Sequence, residues 1–259
     1  MILTDTHTHL YLNAFDDDRH EVVQRAIDQN IRYMLLPNID SNSVHDMLNL
    51  CEAFPDHCFP MMGLHPTSVK DNYEAELSKI EAWFEKKKFI AVGEIGIDLY
   101  WDKSYLKQQE EAFRSQVEIA LKKDLPIVIH SRDSFEIILN ILTDYRASGL
   151  RGVFHCFTGT IEQAKKAINL GFFLGIGGVV TFKNSGLDKV VEHIDPDHLL
   201  LETDSPFLAP VPFRGKRNES AYIELITSKI STLKNMSKEV IANITTQNAI
   251  QLFNITTHE

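Results

Sequence analysis

Short runs of apolar and β-branched residues alternate with longer amphipathic stretches from one end of the chain to the other. The short runs read as strands at residues 2–5, 32–37, 58–64, 89–95, 126–131, 152–157, 172–177 and 198–203. Between them apolar residues recur at helical spacing, as in Val22, Val23, Ala26 and Ile27, or Leu106, Phe113, Val117, Ala120 and Leu121. Thr160 and Gln163 have the spacing of a capping box, opening a helix that stops before Gly171. Gly149 stands where the helix carrying Ile138, Ile141, Leu142 and Tyr145 is expected to end. Strict alternation predicts a parallel sheet, and eight strand-helix units favour an α/β architecture closed as a (β/α)8 TIM barrel. A further helix at residues 237–253 ends the chain.

A length of 259 residues suits such a barrel as one domain, and no repeat, low-complexity tract or Gly/Ser-rich linker divides residues 1–259. The formal net charge of −10 is spread along the chain, which argues against broad attraction to duplex DNA or an anionic membrane. Any polyanion must be gripped locally. Cys51, Cys58 and Cys156 leave an odd thiol and show no zinc-type pairing, so they read as free thiols in a reducing compartment. The first residues carry neither a basic nor an apolar leader, and no stretch approaches membrane-spanning length. A cytoplasmic protein with no membrane partner is expected, and no feature points to a protein partner.

The chemistry gathers where strands end. In Thr4-Asp5-Thr6-His7-Thr8-His9 the acid and the two imidazoles occupy alternate positions, and the period of two sends them to one face of a strand. His7 and His9 can then chelate an ion, while Asp5, deeper in the barrel, is better placed to support than to ligate. Glu94, His130, His155 and Asp204 follow apolar runs in the same way. Polar groups at the C-terminal ends of barrel strands mark an active site, and five of the eight strands supply one. His7, His9, Glu94, His130, His155 and Asp204 exceed what one tetrahedral zinc needs, and a carboxylate can bridge, so a binuclear centre with Glu94 as bridge is expected. Mixed imidazole and carboxylate donors suit Zn, Mn, Co or Fe better than Mg.

His65, in Gly63-Leu64-His65-Pro66, points toward the same mouth as a substrate contact. Arg132 and Arg214 offer planar forks for phosphate; Lys216 and Arg217 read as solvated surface charge. Asp5 and Glu202 are expected to orient the ligands from behind. His20, His45, His57, His193, His198 and His258 have no partner pattern.

At these positions the chain resembles the TatD family of metal-dependent deoxyribonucleases, among the amidohydrolase-like barrel hydrolases. The motifs are Asp5-Thr6-His7-Thr8-His9-Leu10, Gly63-Leu64-His65-Pro66, Gly93-Glu94-Ile95-Gly96-Ile97-Asp98, Ile129-His130-Ser131-Arg132, His155-Cys156-Phe157-Thr158-Gly159 and Glu202-Thr203-Asp204-Ser205-Pro206. They fall in the family's order across nearly the whole chain. The resemblance implies that His7, His9, Glu94 and Asp204 serve one metal, that Glu94, His130 and His155 serve the other, and that DNA phosphodiesters are hydrolysed. The family pattern continues with proline where this chain has Ser220 after Asn218-Glu219, which removes a backbone constraint from the loop before the last barrel helix.

The expected activity is therefore deoxyribonuclease action, as an exonuclease at DNA strand ends. Two metal ions would activate a water, Asp204 would accept its proton, and His65, Arg132 and Arg214 would hold the phosphate. Two rivals share the ligand set: a binuclear hydrolase of a small ester, amide or lactone, and a metal-bound module that holds nucleic-acid ends without turnover.

Overall fold

The computed structural model describes residues 1–256, and His258 lies outside the described residues. Eight strands follow one another along the chain: β1 (Leu3–Asp5), β2 (Ile31–Pro37), β3 (Cys58–Met61), β4 (Val92–Asp98), β5 (Ile127–Arg132), β6 (Gly152–Phe154), β7 (Phe172–Ile176) and β8 (Leu199–Leu201). Each leads into a helix, in order α1 (Arg19–Asp28), α2 (Val44–Ala53), α3 (Tyr73–Trp83), α4 (Leu106–Lys123), α5 (Phe135–Thr143), α6 (Ile161–Asn169), α7 (Leu187–His193) and α8 (Ile223–Lys234), and α9 (Lys238–Phe253) ends the series.

All strand pairs are parallel and run in chain order, in the groups β1-β2-β3 and β4-β5-β6-β7-β8. Short bridges close both seams. Met62 bridges Val92, with the Met62 N–H donating to Ala91 O at 3.1 Å, and Thr8 bridges Ser205, with the Thr6 N–H donating to Leu201 O at 2.9 Å. The result is the expected (β/α)8 barrel with an extra C-terminal helix. Among the described residues no helix is long and apolar enough to cross a membrane.

Several expected boundaries move: β3, β6 and β8 end at Met61, Phe154 and Leu201, two or three residues short of 64, 157 and 203. The strand placed at 89–95 runs instead over Val92–Asp98, because Gly96, Ile97 and Asp98 pair with His130, Ser131 and Arg132 of β5. The helix expected to reach Gly149 stops at Thr143. There the N–H groups of Asp144, Tyr145 and Arg146 bond three residues back, so the chain tightens into turns before Gly149 takes a φ of 79°. The capping box of α6 forms as expected: Thr160 Oγ1 accepts from the Gln163 N–H at 3.2 Å, and Gln163 Oε1 accepts from the Thr160 N–H at 3.0 Å.

Alternation along the strands splits the apolar residues into two buried clusters. Met34, Leu36, Ile127, Ile129, Phe154 and Leu199 pack outward with helix residues such as Val22, Phe113 and Ile138. The inward set, which includes Leu35, Met61, Val128, Val153 and Leu200, meets Ala249, Leu252 and Phe253 of α9. The last helix thus plugs the barrel from below. Its attachment is also polar, since the buried Asn248 Nδ2 donates to Pro196 O and Leu199 O, each at 2.9 Å, beneath β8.

Candidate metal centre

The inward positions that hold apolar residues at the bottom of the barrel hold metal-ligand types at the top. Val128 of β5 is followed two residues on by His130, Val153 of β6 by His155, and Leu200 of β8 by Glu202. Because the side-chain period of a strand is two, each pair shares a face. β1 reaches the site differently. It ends at Asp5, and the chain bends at Thr6 and His7 before Thr8 bridges Ser205, with the Thr8 N–H donating to Leu35 O at 3.1 Å and the His9 N–H to Ser205 O at 2.8 Å. His7 and His9 converge across this bend, and their Nε2 atoms lie 3.2 Å apart.

Glu94 needs a break in the alternation. Gly93 faces inward, since a Cβ there would lie 2.7 Å from the Cβ of Val128, so strict alternation would turn Glu94 outward. Between Val92 and Ile95 the register slips, three residues of β4 spanning two of β5. Such a bulge re-aims the side chains that follow. Ile95 and Ile97 join the outer cluster while Glu94 and Asp98 turn into the barrel.

The Glu94 carboxylate then lies at the centre of the cluster. Its Oε2 is 3.1 Å from His7 Nε2 and 3.4 Å from His9 Nε2. Its Oε1 is 2.7 Å from His155 Nε2, 2.9 Å from His130 Nδ1 and 3.3 Å from His65 Nε2. Asp204 Oδ1 stands 3.8 Å from His7 Nε2 and 3.7 Å from His9 Nε2. Three triplets bring one donor atom from each member within 4.8 Å of one another: His7, His9 and Glu94; His7, His155 and Asp204; His65, Glu94 and His130.

The donors fit a cation. Tyr11 Oη donates to Pro37 O at 2.5 Å, so at 2.9 Å from His9 Nδ1 it accepts that nitrogen's proton, leaving His9 Nε2 with a bare lone pair toward Glu94. Burial and the nearby His155 hold His7 well below the usual imidazole range, so its ring is neutral, and its Nδ1 is buried without a partner. Burial works against charge on Glu94, but the charge of His155, itself pushed well above the usual imidazole range beside this carboxylate, and the hydrogen bond with His130 outweigh it and keep the carboxyl well below its ordinary range. Burial pushes Asp204 up to about 6. The bare nitrogens of His7 and His9 beside an ionised carboxylate form the donor set that divalent transition metals take, and a bound cation would take the place of the protons that Glu94 holds on His130 and His155.

Asp5 and Glu202 lie behind these donors. Asp5 Oδ1 accepts from the Thr203 N–H at 2.9 Å and Oδ2 from Thr203 Oγ1 at 2.6 Å, which joins the end of β8 to β1. Glu202 Oε1 accepts from the Cys156 N–H at 2.6 Å and lies 3.6 Å from His155 Nδ1. It fits because Gly175 has no side chain: a Cβ there would meet Glu202 Oε2 at 2.2 Å.

Above the donors opens a cavity of about 470 Å³, lined by His65, Arg132, Trp101 and Phe207 among others. Arg132 is on its wall. Arg214 is not among the lining residues; its guanidinium sits 4.4 Å over the Phe182 ring. Arg217 pairs with Asp18 at 2.6 Å. The loop with Ser220 is tied down by side chains: Asn218 Nδ2 donates to Thr203 O and Phe207 O, each at 2.7 Å, and Ser220 Oγ donates to Thr8 Oγ1 at 3.3 Å.

A family model described as TatD related DNase matches residues 4–254. The chain belongs to this family. It is 41% identical over 255 residues to an uncharacterized metal-dependent hydrolase, YabD, of Bacillus subtilis (strain 168), covering 98% of this chain and all of that one. It is 32% identical over 257 residues to the 3'-5' ssDNA/RNA exonuclease TatD of Salmonella typhimurium (strain LT2), covering 97% of this chain and 98% of that protein. The crystal structure of YJJV, a TatD homolog from Escherichia coli K12, superposes with a TM-score of 0.92 at 27% identity, covering 98% of each chain. The protein is thus a metal-dependent hydrolase of the TatD family.

Several contributors to the site escape a reading of strand ends. Asp98 Oδ2 lies 2.8 Å from His130 Nε2, which leaves Nδ1 of that ring toward Glu94. Its position at the end of β4, two turns of alternation past Glu94, was the available signal. Tyr11 continues the series Asp5, His7, His9 by one more step of two. Gln109 and Gln116 of α4 had no such signal. Buried, they accept from the N–H groups of Asp98 (2.8 Å) and Leu64 (2.7 Å) and so fix the chain beside His130 and His65. His65, expected beside the substrate, is close enough to Glu94 to share a donor triplet as well.

Proposed function

We propose that this TatD family hydrolase is a deoxyribonuclease that cleaves phosphodiester bonds at the ends of single strands, using two divalent metal ions. The observation that supports it most is the division of Glu94, one oxygen facing His7 and His9, the other facing His130 and His155. His7, His9, Glu94 and Asp204 would hold one ion, and Glu94, His130 and His155 the other, with Zn, Mn, Co, Fe or Mg as the candidates. Ions held there supply Lewis acidity, acidifying a water and offsetting the charge that a phosphodiester gathers under attack.

The chain's own groups do the rest. The Asp204 carboxylate, on the cavity wall beside the other donors, accepts the water's proton. His65 Nε2 and the Arg132 guanidinium, both on the cavity wall, hold the phosphate. Asp98, Tyr11 and Glu202 orient His130, His9 and His155, while Asp5 joins the strand ends that carry His7 and Asp204. The description of the Salmonella relative as a 3'-5' ssDNA/RNA exonuclease supports strand ends as the substrate. We place the protein in the cytoplasm as a single domain. Its cysteines are free, two of them buried, and the inner cluster draws β2, β3, β5, β6, β8 and α9 into one body.

The test is incubation of Zn-, Mn- or Mg-reconstituted protein with end-labelled single- and double-stranded DNA and RNA, beside a panel of esters and lactones. A metal-dependent ladder shortening from one end of single-stranded DNA is expected. Turnover of esters or lactones with no cleavage of any strand would overturn the reading.

A further inference from the structure

Large apolar side chains that stay in water mark where something else binds. Among the described residues the exposed aromatic ones are Trp101 (71% exposed), Tyr100 (55%) and Phe207 (52%). All three lie on loops that leave the C-terminal ends of β4 and β8, at the mouth of the metal centre. Trp101 and Phe207 both line the cavity that contains Glu94 and Asp204. Phe207 stands edge-on to His9, ring centroids 6.4 Å apart, and Tyr100 packs at right angles to Trp101 at 4.9 Å.

A cation completes the patch. The Arg132 guanidinium carbon lies 3.8 Å over the Tyr100 ring and 5.7 Å from that of Trp101. An exposed arginine stacked on exposed aromatics in a chain of net charge −10 is a local anion grip beside a flat apolar surface. The position of the rings is also built. Asp98 Oδ1 accepts from the N–H of Tyr100 at 2.9 Å and faces that of Trp101 at 3.3 Å, while its Oδ2 holds His130. One buried carboxylate therefore sets both the aromatic pair and a candidate ligand of the metal.

Resting on the nuclease reading, we infer that Trp101, supported by Tyr100 and Arg132, is a base-stacking subsite for the nucleotide next to the scissile phosphate. A base has an exposed π-face on either side, and stacking on an aromatic side chain is tolerant of sequence. Arg132, stacked over Tyr100 and on the cavity wall, reaches the phosphate that the base carries with it. A base inside a duplex has its faces covered by its neighbours, so the subsite selects unpaired ends. Phe207 bounds the opposite side of the cavity.

The chain has two tryptophans, and Trp83, half-buried on α3, packs edge-on to His45 and does not line the cavity, so Trp83→Phe leaves Trp101 as the only indole. In that variant, with Mn present, single-stranded dT oligonucleotide is expected to quench the emission saturably. The same strand ending in an abasic tetrahydrofuran residue should need about tenfold more strand for half the quench, the factor that ~1.4 kcal/mol of stacking produces. In turnover, wild-type protein should prefer the complete end to the abasic end by a similar factor in kcat/KM. Trp101→Ala should bring that ratio close to one, and Trp101→Phe should retain most of it. Equal quenching by both strands, or an unchanged ratio in Trp101→Ala, overturns the subsite and leaves the nuclease standing. If the wild-type protein cleaves no strand while hydrolysing an ester, the nuclease reading falls, and the subsite with it.

Discussion

The two ends of the barrel interior are built from the same strands and differ completely in chemistry. At the bottom Val128, Val153 and Leu200 pack against Leu252 and Phe253 of α9, out of water. One pleat higher on the same strands stand His130, His155 and Glu202. The lower layer is filled by side chains that need only volume. In the upper layer imidazoles and carboxylates crowd within hydrogen-bonding distance of one another, which raises Asp204 to about 6 and lowers His7 well below its usual range, both by burial first. Stability is assigned to one end and reactivity to the other, the division of labour that lets barrels vary their chemistry without refolding.

Substitutions at the two ends should therefore fail in different ways. The largest effect is expected for Glu94→Ala, which removes the carboxylate shared by all the imidazoles. Turnover should fall by roughly 10³-fold or more, as the loss of several kcal/mol of charge stabilisation implies, with metal content reduced on elemental assay and the far-ultraviolet circular dichroism unchanged. Full metal-dependent turnover in that variant would remove Glu94 from the centre. Next, Phe253→Ala should cost about 3–5 kcal/mol of unfolding free energy in urea, while the folded fraction binds metal as the parent does. If instead metal affinity fell as steeply as stability, the two ends would not be separable.

A smaller effect tests the struts between the layers. Asp98→Ala or Tyr11→Phe should weaken metal binding about 10- to 100-fold in a competition titration, since each frees a histidine ring to rotate or change tautomer. An affinity equal to the parent's would show that the rings are held by packing alone. The smallest change expected is in Thr160→Ala, which removes the cap of α6 on the outer wall. It should cost about 1 kcal/mol of stability and leave kcat untouched, and a drop in kcat would link the loop after β6 to the chemistry.

Much of this contrast was legible in the chain. The eight strand-helix units, the α6 capping box and the terminal helix are local patterns, set by backbone periodicity and by side chains within a few residues of one another. The candidate ligands could be named for the same reason, since an imidazole or carboxylate two residues past an inward valine shares its face. Glu94 shows where this stops. Counting by twos from Gly93 sends it out of the barrel, and the register slip against β5 brings it in. Asp98 is a similar case, because its contact with His130 exists only once β4 and β5 are paired in one register.

The basic residues divide along the same line. Arg132 and Arg214 look alike in sequence, each in a loop after a strand. The path of those loops puts one guanidinium over Tyr100 on the cavity wall and the other over Phe182, outside the lining. Periodicity and residue chemistry were thus enough to name the fold and the candidate metal donors, because both depend on spacing along a single segment. Which donors Glu94 joins, which protons Tyr11 and Asp98 hold, and which aromatic rings stand at the mouth depend on distances between segments up to hundreds of residues apart. Those distances are set when the barrel closes, by the bridge between Thr8 and Ser205 and the bulge in β4.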